Sequence, residues 1–264
     1  MRYIDIGLNL FCDAFKDPDR ILSEAREQEV ACILTGSDAA DNEKVYRYTL
    51  AHDVWGTAGI HPHNASRARE EDFRKIREYQ TNPRIVAVGE CGLDYDRMFS
   101  PKEQQIDCLL KHIAIAEELQ KPMFLHEREA SVDFIPIFKE HLPRLKRAVV
   151  HCFTGDRALL ERYLEMGFYI GITGWICDDR RAQELRDAVK ILPLDRVMLE
   201  TDAPYLKPRN VKGLHRTNVP QNVRYVAAAL AEYMGVGEEL LVRNAFENTV
   251  RFFELDPAEI CNNE

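Results

Sequence analysis

Four apolar runs in this chain each end on a group able to bind a metal ion: IVAVGE on Glu90, PMFLH on His126, RAVVH on His151 and VMLETD on Asp202. Two carboxylates and two imidazoles offer hard oxygen beside borderline nitrogen, a donor set that suits Zn2+, Mn2+ or Mg2+. One such residue at a strand end serves as readily as a helix cap or as the partner of a buried carbonyl. Four at the same place in the local pattern point instead to a metal-dependent hydrolase whose site gathers at one end of a parallel sheet. Asp202 sits on the last of these runs, inside LETDAPY, and is read as a general base that also approaches the metal. Glu200 shares its face by strand alternation and is placed to orient Asp202 or a ligand histidine.

Other groups fall around this set. His61 and His63 flank Pro62 in GIHPH, and two residues of extended chain put both imidazoles on one side, to bind metal or a substrate oxyanion. A rigid loop with one satisfied histidine is the competing reading. Arg128, two residues after His126, can clamp a phosphate or form an ordinary surface ion pair. Trp175 can stack on an unpaired base or pack at a barrel rim. Alternation turns Cys91 and Cys152 away from the face that carries Glu90 and His151, so both are read as packing residues. His52, His112 and His141 lie in or beside helical segments with no partner at ligand spacing and are expected on the surface.

The elements that must position these residues are regular. Strand candidates are Tyr3–Asn9, Cys32–Gly36, Trp55–His61, Ile85–Glu90, Met123–His126, Ala148–His151, Tyr169–Thr173 and Val197–Asp202, alternating with segments of helical period. Continuous apolar stretches such as IVAVG, AVV and VML suit strands buried on both faces. With 264 residues and no Pro/Ser/Gly-rich linker, the expected fold class is α/β, a (β/α)8 TIM barrel in a single domain over residues 1–264. An open doubly wound sheet also alternates, but no glycine fingerprint follows the first strand and the ligand candidates recur after too many strands for one switch point. Ser100 and Glu103 fit a capping box with Pro101 at the first helical position. Gly167 fits a left-handed helix end, and Val219 to Leu255 holds two further helical patterns.

A net charge of −9 repels polyanions, so nucleic-acid binding requires a local basic patch or a bound cation. The candidate patch is Lys207, Arg209, Lys212, His215 and Arg216, in a stretch read as a loop, although a merely solvated loop fits the charge equally well. MRYIDIGLNL reads as a strand rather than a leader, and no apolar segment is long enough to span a bilayer, so a cytoplasmic protein without a membrane partner is expected. The cysteines (Cys12, Cys32, Cys91, Cys108, Cys152, Cys177 and Cys261) are odd in number and hold no CxxC pair, which argues against a disulfide framework or a thiolate zinc knuckle.

GIHPH, VGECGLDY, LHER, VHCFTG, GITGW, ETDAPYL and the RTNVP segment followed by Asn248 resemble, in the same order, the blocks of the TatD family of metal-dependent deoxyribonucleases within the amidohydrolase-like barrels. The resemblance implies a (β/α)8 barrel, a divalent metal at the strand C-termini and hydrolysis of DNA phosphodiester bonds, often from the 3′ end. Carried over by position, it makes Glu90, His126 and His151 metal ligands, makes Asp202 the catalytic acid that also approaches the metal, and sets His63 near substrate phosphate. Many members carry His-x-His at the end of the first strand, where DIGLNL has Gly7 and Asn9. The expectation is therefore one firmly bound divalent cation (Mg, Mn or Zn) at Glu90, His126 and His151. A second ion is weak, bridged by Glu90 and Asp202 or recruited with substrate phosphate, and Asn9 supplies only a carbonyl oxygen. Glu127 in LHER stands where the family commonly has a small residue or Cys, and alternation turns it away from the site.

The leading expectation is a 3′-5′ exonuclease acting on single-stranded DNA or 3′ ends, with no obligate protein partner and with DNA repair among its possible pathways. The alternative is a hydrolase of a small ester, amide or aminoacyl-tRNA bond on the same barrel. A third reading, a barrel that has lost its first metal pair and serves as a binding module, is opposed by the four later ligand candidates.

Overall fold

A computed structural model of the chain describes residues 1–261. In chain order the elements are β1 (Tyr3–Leu8), α1 (Pro18–Glu27), β2 (Val30–Leu34), α2 (Ala39–Ala51), β3 (Trp55–Ala58), α3 (Glu70–Tyr79), β4 (Ile85–Asp94), α4 (Lys102–Leu119), β5 (Met123–Arg128) and α5 (Ser131–His141). They continue with β6 (Ala148–Val150), α6 (Arg157–Glu165), β7 (Tyr169–Ile172), α7 (Gln183–Ala188), β8 (Val197–Leu199), α8 (Val223–Met234), α9 (Glu238–Phe253) and α10 (Pro257–Cys261). The strands follow one another in one sheet in the order β1 to β8, and Leu8 at the end of β1 bridges in parallel to Ala203 beyond β8. The fold class is α/β, a (β/α)8 barrel, as the alternation of strand and helix patterns implies. Contacts divide the described residues into two compact units, residues 1–34 with 152–261 and residues 35–151.

In the first unit, β1 pairs in parallel with β2 and β7 with β8. Every residue of β1 is buried, including Asp5, whose carboxylate accepts from the amides of Gly7 (3.2 Å) and Thr201 (2.8 Å) and from the Thr201 hydroxyl (2.5 Å). A buried polar group persists only with such partners. Gly167 takes φ +76° just after α6, and Gly235 caps α8 at φ +69°, so the helix ends fall where the glycines suggest.

In the second unit, β3, β4, β5 and β6 pair successively in parallel. β3 stops at Ala58, short of the expected His61, because the next backbone groups bond to side chains instead of the ladder. Asn42 of α2 donates to the Gly59 carbonyl (2.8 Å) and accepts its amide (3.0 Å), and the His112 ring accepts the Ile60 amide (3.0 Å). Pro62–Arg67 then forms a 3-10 turn. β4 runs past the expected Glu90 to Asp94, buried throughout, with its register to β5 shifting between Val88 and Cys91. The capping box at Ser100 does not form. Pro101 is the N-cap of α4 without a side-chain bond, and the Ser100 hydroxyl donates instead to the His63 carbonyl (3.0 Å) while accepting the Ser66 amide (3.0 Å). The expected strand ends on Gly36, His151, Thr173 and Asp202 also lie in the loops beyond β2, β6, β7 and β8.

Candidate active site

Three histidines surround one carboxylate in the second unit. Glu90 on β4 has its Oε1 2.9 Å from His151 Nε2, 3.2 Å from His126 Nδ1 and 3.3 Å from His61 Nε2. His126 is on β5, and His151 directly follows β6. The close approach of β4 to β5 needs glycine. Gly92 pairs with His126 at φ +153°, and a Cβ there would lie 1.8 Å from the His126 carbonyl oxygen. Burial alone would raise the Glu90 pKa, but His61, His151 and His126 outweigh it and hold the carboxyl well below its usual range. The site thus keeps a buried negative charge that calls for a cation or cationic partners.

His61, Glu90 and His126 form a group whose ligand atoms lie within 4.8 Å of one another, a possible metal site. His61 has a further commitment, since its Nδ1 accepts the His63 amide at 3.1 Å. Burial lowers its pKa to about 4, so the ring is neutral near pH 7. A neutral imidazole that accepts at Nδ1 is assigned its proton on Nε2, which faces His126 Nδ1 and Glu90 Oε1, both at 3.3 Å. The 3-10 turn, not the expected extended chain, brings His61 and His63 together, with ring centroids 4.2 Å apart at 71°.

His126 Nε2 is buried and makes no hydrogen bond among the described residues, although Asp94 Oδ2 lies 3.4 Å away. Burial opposes protonation of His126, and Asp94 and Glu90 raise its pKa past that effect. An ionised buried carboxylate with convergent imidazole nitrogens, one of them without a proton partner, fits a divalent cation.

Asp94 is the site residue that sequence reasoning missed. Its Oδ2 lies 2.7 Å from His63 Nε2, and its Oδ1 accepts the amides of Asp96 (3.0 Å) and Arg97 (2.8 Å). Burial is outweighed by the nearby His126 ring and by the hydrogen bonds with His63 and Arg97, so the carboxyl stays well below the ordinary range. The available signal was the spacing Glu90, Gly92, Asp94 within one unbroken run. Two buried residues of α4 hold this wall. Gln105 accepts the Asp94 amide (2.8 Å) and donates to its carbonyl (3.0 Å). Two turns later His112 accepts from Ile60 and pairs with the Cys108 carbonyl (2.7 Å). His112 is therefore a fully buried support and not a surface residue, and burial lowers its pKa to about 4. His52 is exposed against Tyr48, and His141 pairs with Glu117 at 2.7 Å. Arg128 is ion-paired with Asp96 (3.1 Å), and Cys91 is buried, as a packing residue should be.

In the first unit, the Asn9 amide nitrogen donates to Asp202 Oδ1 (2.9 Å) and to the Ala203 carbonyl (3.3 Å). The nitrogen of this side chain, rather than its carbonyl oxygen, serves the catalytic candidate. Asp202 is half-buried and takes φ +53°, a left-handed conformation that Asp adopts more readily than most residues. Glu200 is buried and accepts the Cys152 amide. Trp175 stands in the 3-10 turn Gly174–Cys177 with the Arg181 guanidinium 4.0 Å over its ring. The basic stretch is irregular, as expected. Lys207 donates to the Leu214 carbonyl (3.3 Å), Arg209 pairs with Asp178, and Lys212, His215 and Arg216 are exposed. Cys12, Cys32, Cys91, Cys108 and Cys177 are free thiols, and the Cys261 side chain lies outside the described residues. Among the described residues no helix is long and apolar enough to cross a membrane.

A (β/α)8 fold with a carboxylate and imidazoles converging at successive strand ends defines a metal-dependent barrel hydrolase. The family model for TatD related DNase matches residues 4–254, and the chain belongs to that family. It is 43% identical over 257 residues to the protein named 3'-5' ssDNA/RNA exonuclease TatD of Erwinia tasmaniensis, covering 95% of this chain and 99% of that protein. To the protein of the same name from Erwinia amylovora it is 48% identical over 212 residues, covering 79% and 82%. Among solved structures, YJJV, a TatD homolog from Escherichia coli, superposes with a TM-score of 0.86 at 28% identity, covering 97% of this chain and 99% of that one.

Proposed function

We propose that this protein is a divalent-metal-dependent 3′-5′ exonuclease of single-stranded nucleic acid, working as one catalytic domain. The observation that carries the reading is the convergence of His126 Nδ1 and His151 Nε2 on the ionised Glu90 carboxylate. Relatives at this identity named as single-strand DNA/RNA exonucleases supply the substrate class. Glu90, His126 and His151 would hold the ion, and His61 keeps Glu90 oriented through its Nε2 proton. Bound there, Mg2+, Mn2+ or Zn2+ supplies Lewis acidity for the phosphoryl group and the attacking water.

The remaining work belongs to side chains. Asp202 takes the proton of the attacking water, and the Asn9 amide keeps its Oδ1 in place. His63, anchored through Nε2 to Asp94, presents a partly exposed ring to a substrate phosphate. Trp175 offers a face for an unpaired base, and the Lys207 to Arg216 loop adds positive charge to an otherwise acidic protein. The free thiols suit a reducing cytoplasm.

The test is release of labelled mononucleotide from 3′-labelled single-stranded DNA with Mg2+ or Mn2+ and with chelator. Metal-dependent release of the 3′ nucleotide ahead of internal products is expected. Internal products first, or activity that chelator leaves intact, would refute the reading.

A further inference from the structure

Asp178 follows the turn that carries Trp175 and is nearly inaccessible, its side chain 3% exposed, yet three guanidinium groups converge on it. Its carboxylate meets Arg180 Nη2 at 2.8 Å, Arg181 Nη2 at 3.0 Å and Arg209 Nε at 3.2 Å. The arginine side chains remain 63%, 46% and 56% exposed, so the anchor is buried while the cationic heads face water. One carboxylate neutralises one of three cations, and the fan carries a surplus of two positive charges within a chain of net charge −9. Nearby Asp179 does not cancel it, being paired with Arg186 at 2.7 Å.

The fan is built from two loops locked together. At Gly174 a Cβ would fall 2.0 Å from the Leu206 carbonyl oxygen, so only glycine lets the Trp175 turn pack against the segment that brings in Arg209. The Arg181 guanidinium also lies 4.0 Å over the Trp175 ring, giving a flat cationic face beside the other two arginines. Each guanidinium offers five N–H donors in a fork matched to phosphate oxygens, and only one edge of each faces Asp178. Several such forks beside one aromatic plane match a flexible strand with exposed bases better than they match an acidic peptide or a duplex whose bases are stacked inside.

We propose that Arg180, Arg181 and Arg209, fanned around Asp178 beside Trp175, form a docking surface for the sugar-phosphate backbone of single-stranded nucleic acid. None of them belongs to the groups that hold the metal. The strand's identity rests on the exonuclease reading above.

The test is fluorescence anisotropy of labelled oligothymidylate (12 nucleotides) with chelator present, from 50 to 200 mM salt. Arg180→Ala/Arg181→Ala should bind about tenfold more weakly and lose about 1.4 from the slope of log K against log salt, about 0.7 per phosphate contact on a single strand. Arg209→Ala, on the other loop, should lose about half as much slope, and Arg180→Lys/Arg181→Lys should restore it. Unchanged affinity and slope in both alanine variants would overturn the proposal, as would equally tight wild-type binding of a blunt duplex of the same length. Hydrolysis of p-nitrophenyl thymidine 5′-phosphate by wild type with Mn2+ reads the catalytic assignment separately. Predicted slopes without hydrolysis would remove the nuclease and leave the surface. Hydrolysis with unaltered slopes would do the reverse.

Discussion

Glu90 and Asp5 are both fully buried carboxylates on parallel strands, one in each compact unit, and their environments drive them in opposite directions. Around Glu90 stand three imidazoles, and the carboxyl remains ionised well below its usual range. Among the described residues Asp5 receives hydroxyl and amide donors from Thr201 and Gly7, and burial pushes its pKa up to about 7. Burial is common to both, so the partners decide which charge state survives. The imidazole-rich unit can therefore keep an anion ready for a divalent ion. The unit with Gly7 and Asn9 at the end of its first strand contributes neutral hydrogen bonding and, through Asn9, a fixed orientation for Asp202.

This contrast can be broken at several points. The largest effect is expected for Asp202→Asn, which removes the proton acceptor from the neutral side. Its kcat on single-stranded DNA should fall about 10²- to 10⁴-fold with KM little changed. A loss below about tenfold would move the base elsewhere.

The second concerns pH. The folded pKa of Asp5, about 7, lies above its unfolded value near 3.9, so its contribution to stability is fully present below about pH 4 and is lost as pH rises through about 7. The difference between the folded and unfolded values corresponds to about 4 kcal/mol. Urea unfolding at pH 5 and pH 8 should show wild type losing stability toward pH 8 relative to Asp5→Asn, and parallel stabilities at the two pH values would contradict the assignment.

On the histidine side, His112→Leu leaves the buried Ile60 amide without its acceptor and should cost about 1–3 kcal/mol of stability. His112→Gln, which can still accept, should recover part of that loss in the same denaturation experiment. The smallest effect sharpens the comparison. Asn9→Ala removes the side-chain donor to Asp202 Oδ1 and should lower kcat about tenfold, while Asn9→Asp, which replaces that donor by a second carboxyl group, should do worse.

Much of this was legible in the sequence because strand ends and ligands coincide. The apolar runs located every strand, and the residues that close them, Glu90, His126 and His151, converge in space. What escaped lies where side chains compete with the ladder. Nothing in WGTAGIHPH announces that Asn42 and His112 will take the next backbone groups and end β3 at Ala58. His112 reads as peripheral because it is polar, yet with Gln105 it shares the one buried face of α4 that also carries Cys108, Leu109 and Ala116. Asp94 is masked in the sequence because β4 carries an acid already at Glu90 and stays buried for four residues beyond it. At Ser100 the motif was correct in composition, but tertiary partners at His63 and Ser66 claimed the hydroxyl.

The central claim is that the imidazole-ringed carboxylate holds the ion and the Asn9–Asp202 pair does not. Calorimetric titration with Mn2+ tests it most directly, comparing wild type, Glu90→Gln and Asp202→Asn in the absence of substrate. One tight equivalent is expected in wild type, with its loss in Glu90→Gln and its retention in Asp202→Asn. Tight binding that survives Glu90→Gln but disappears in Asp202→Asn would contradict it.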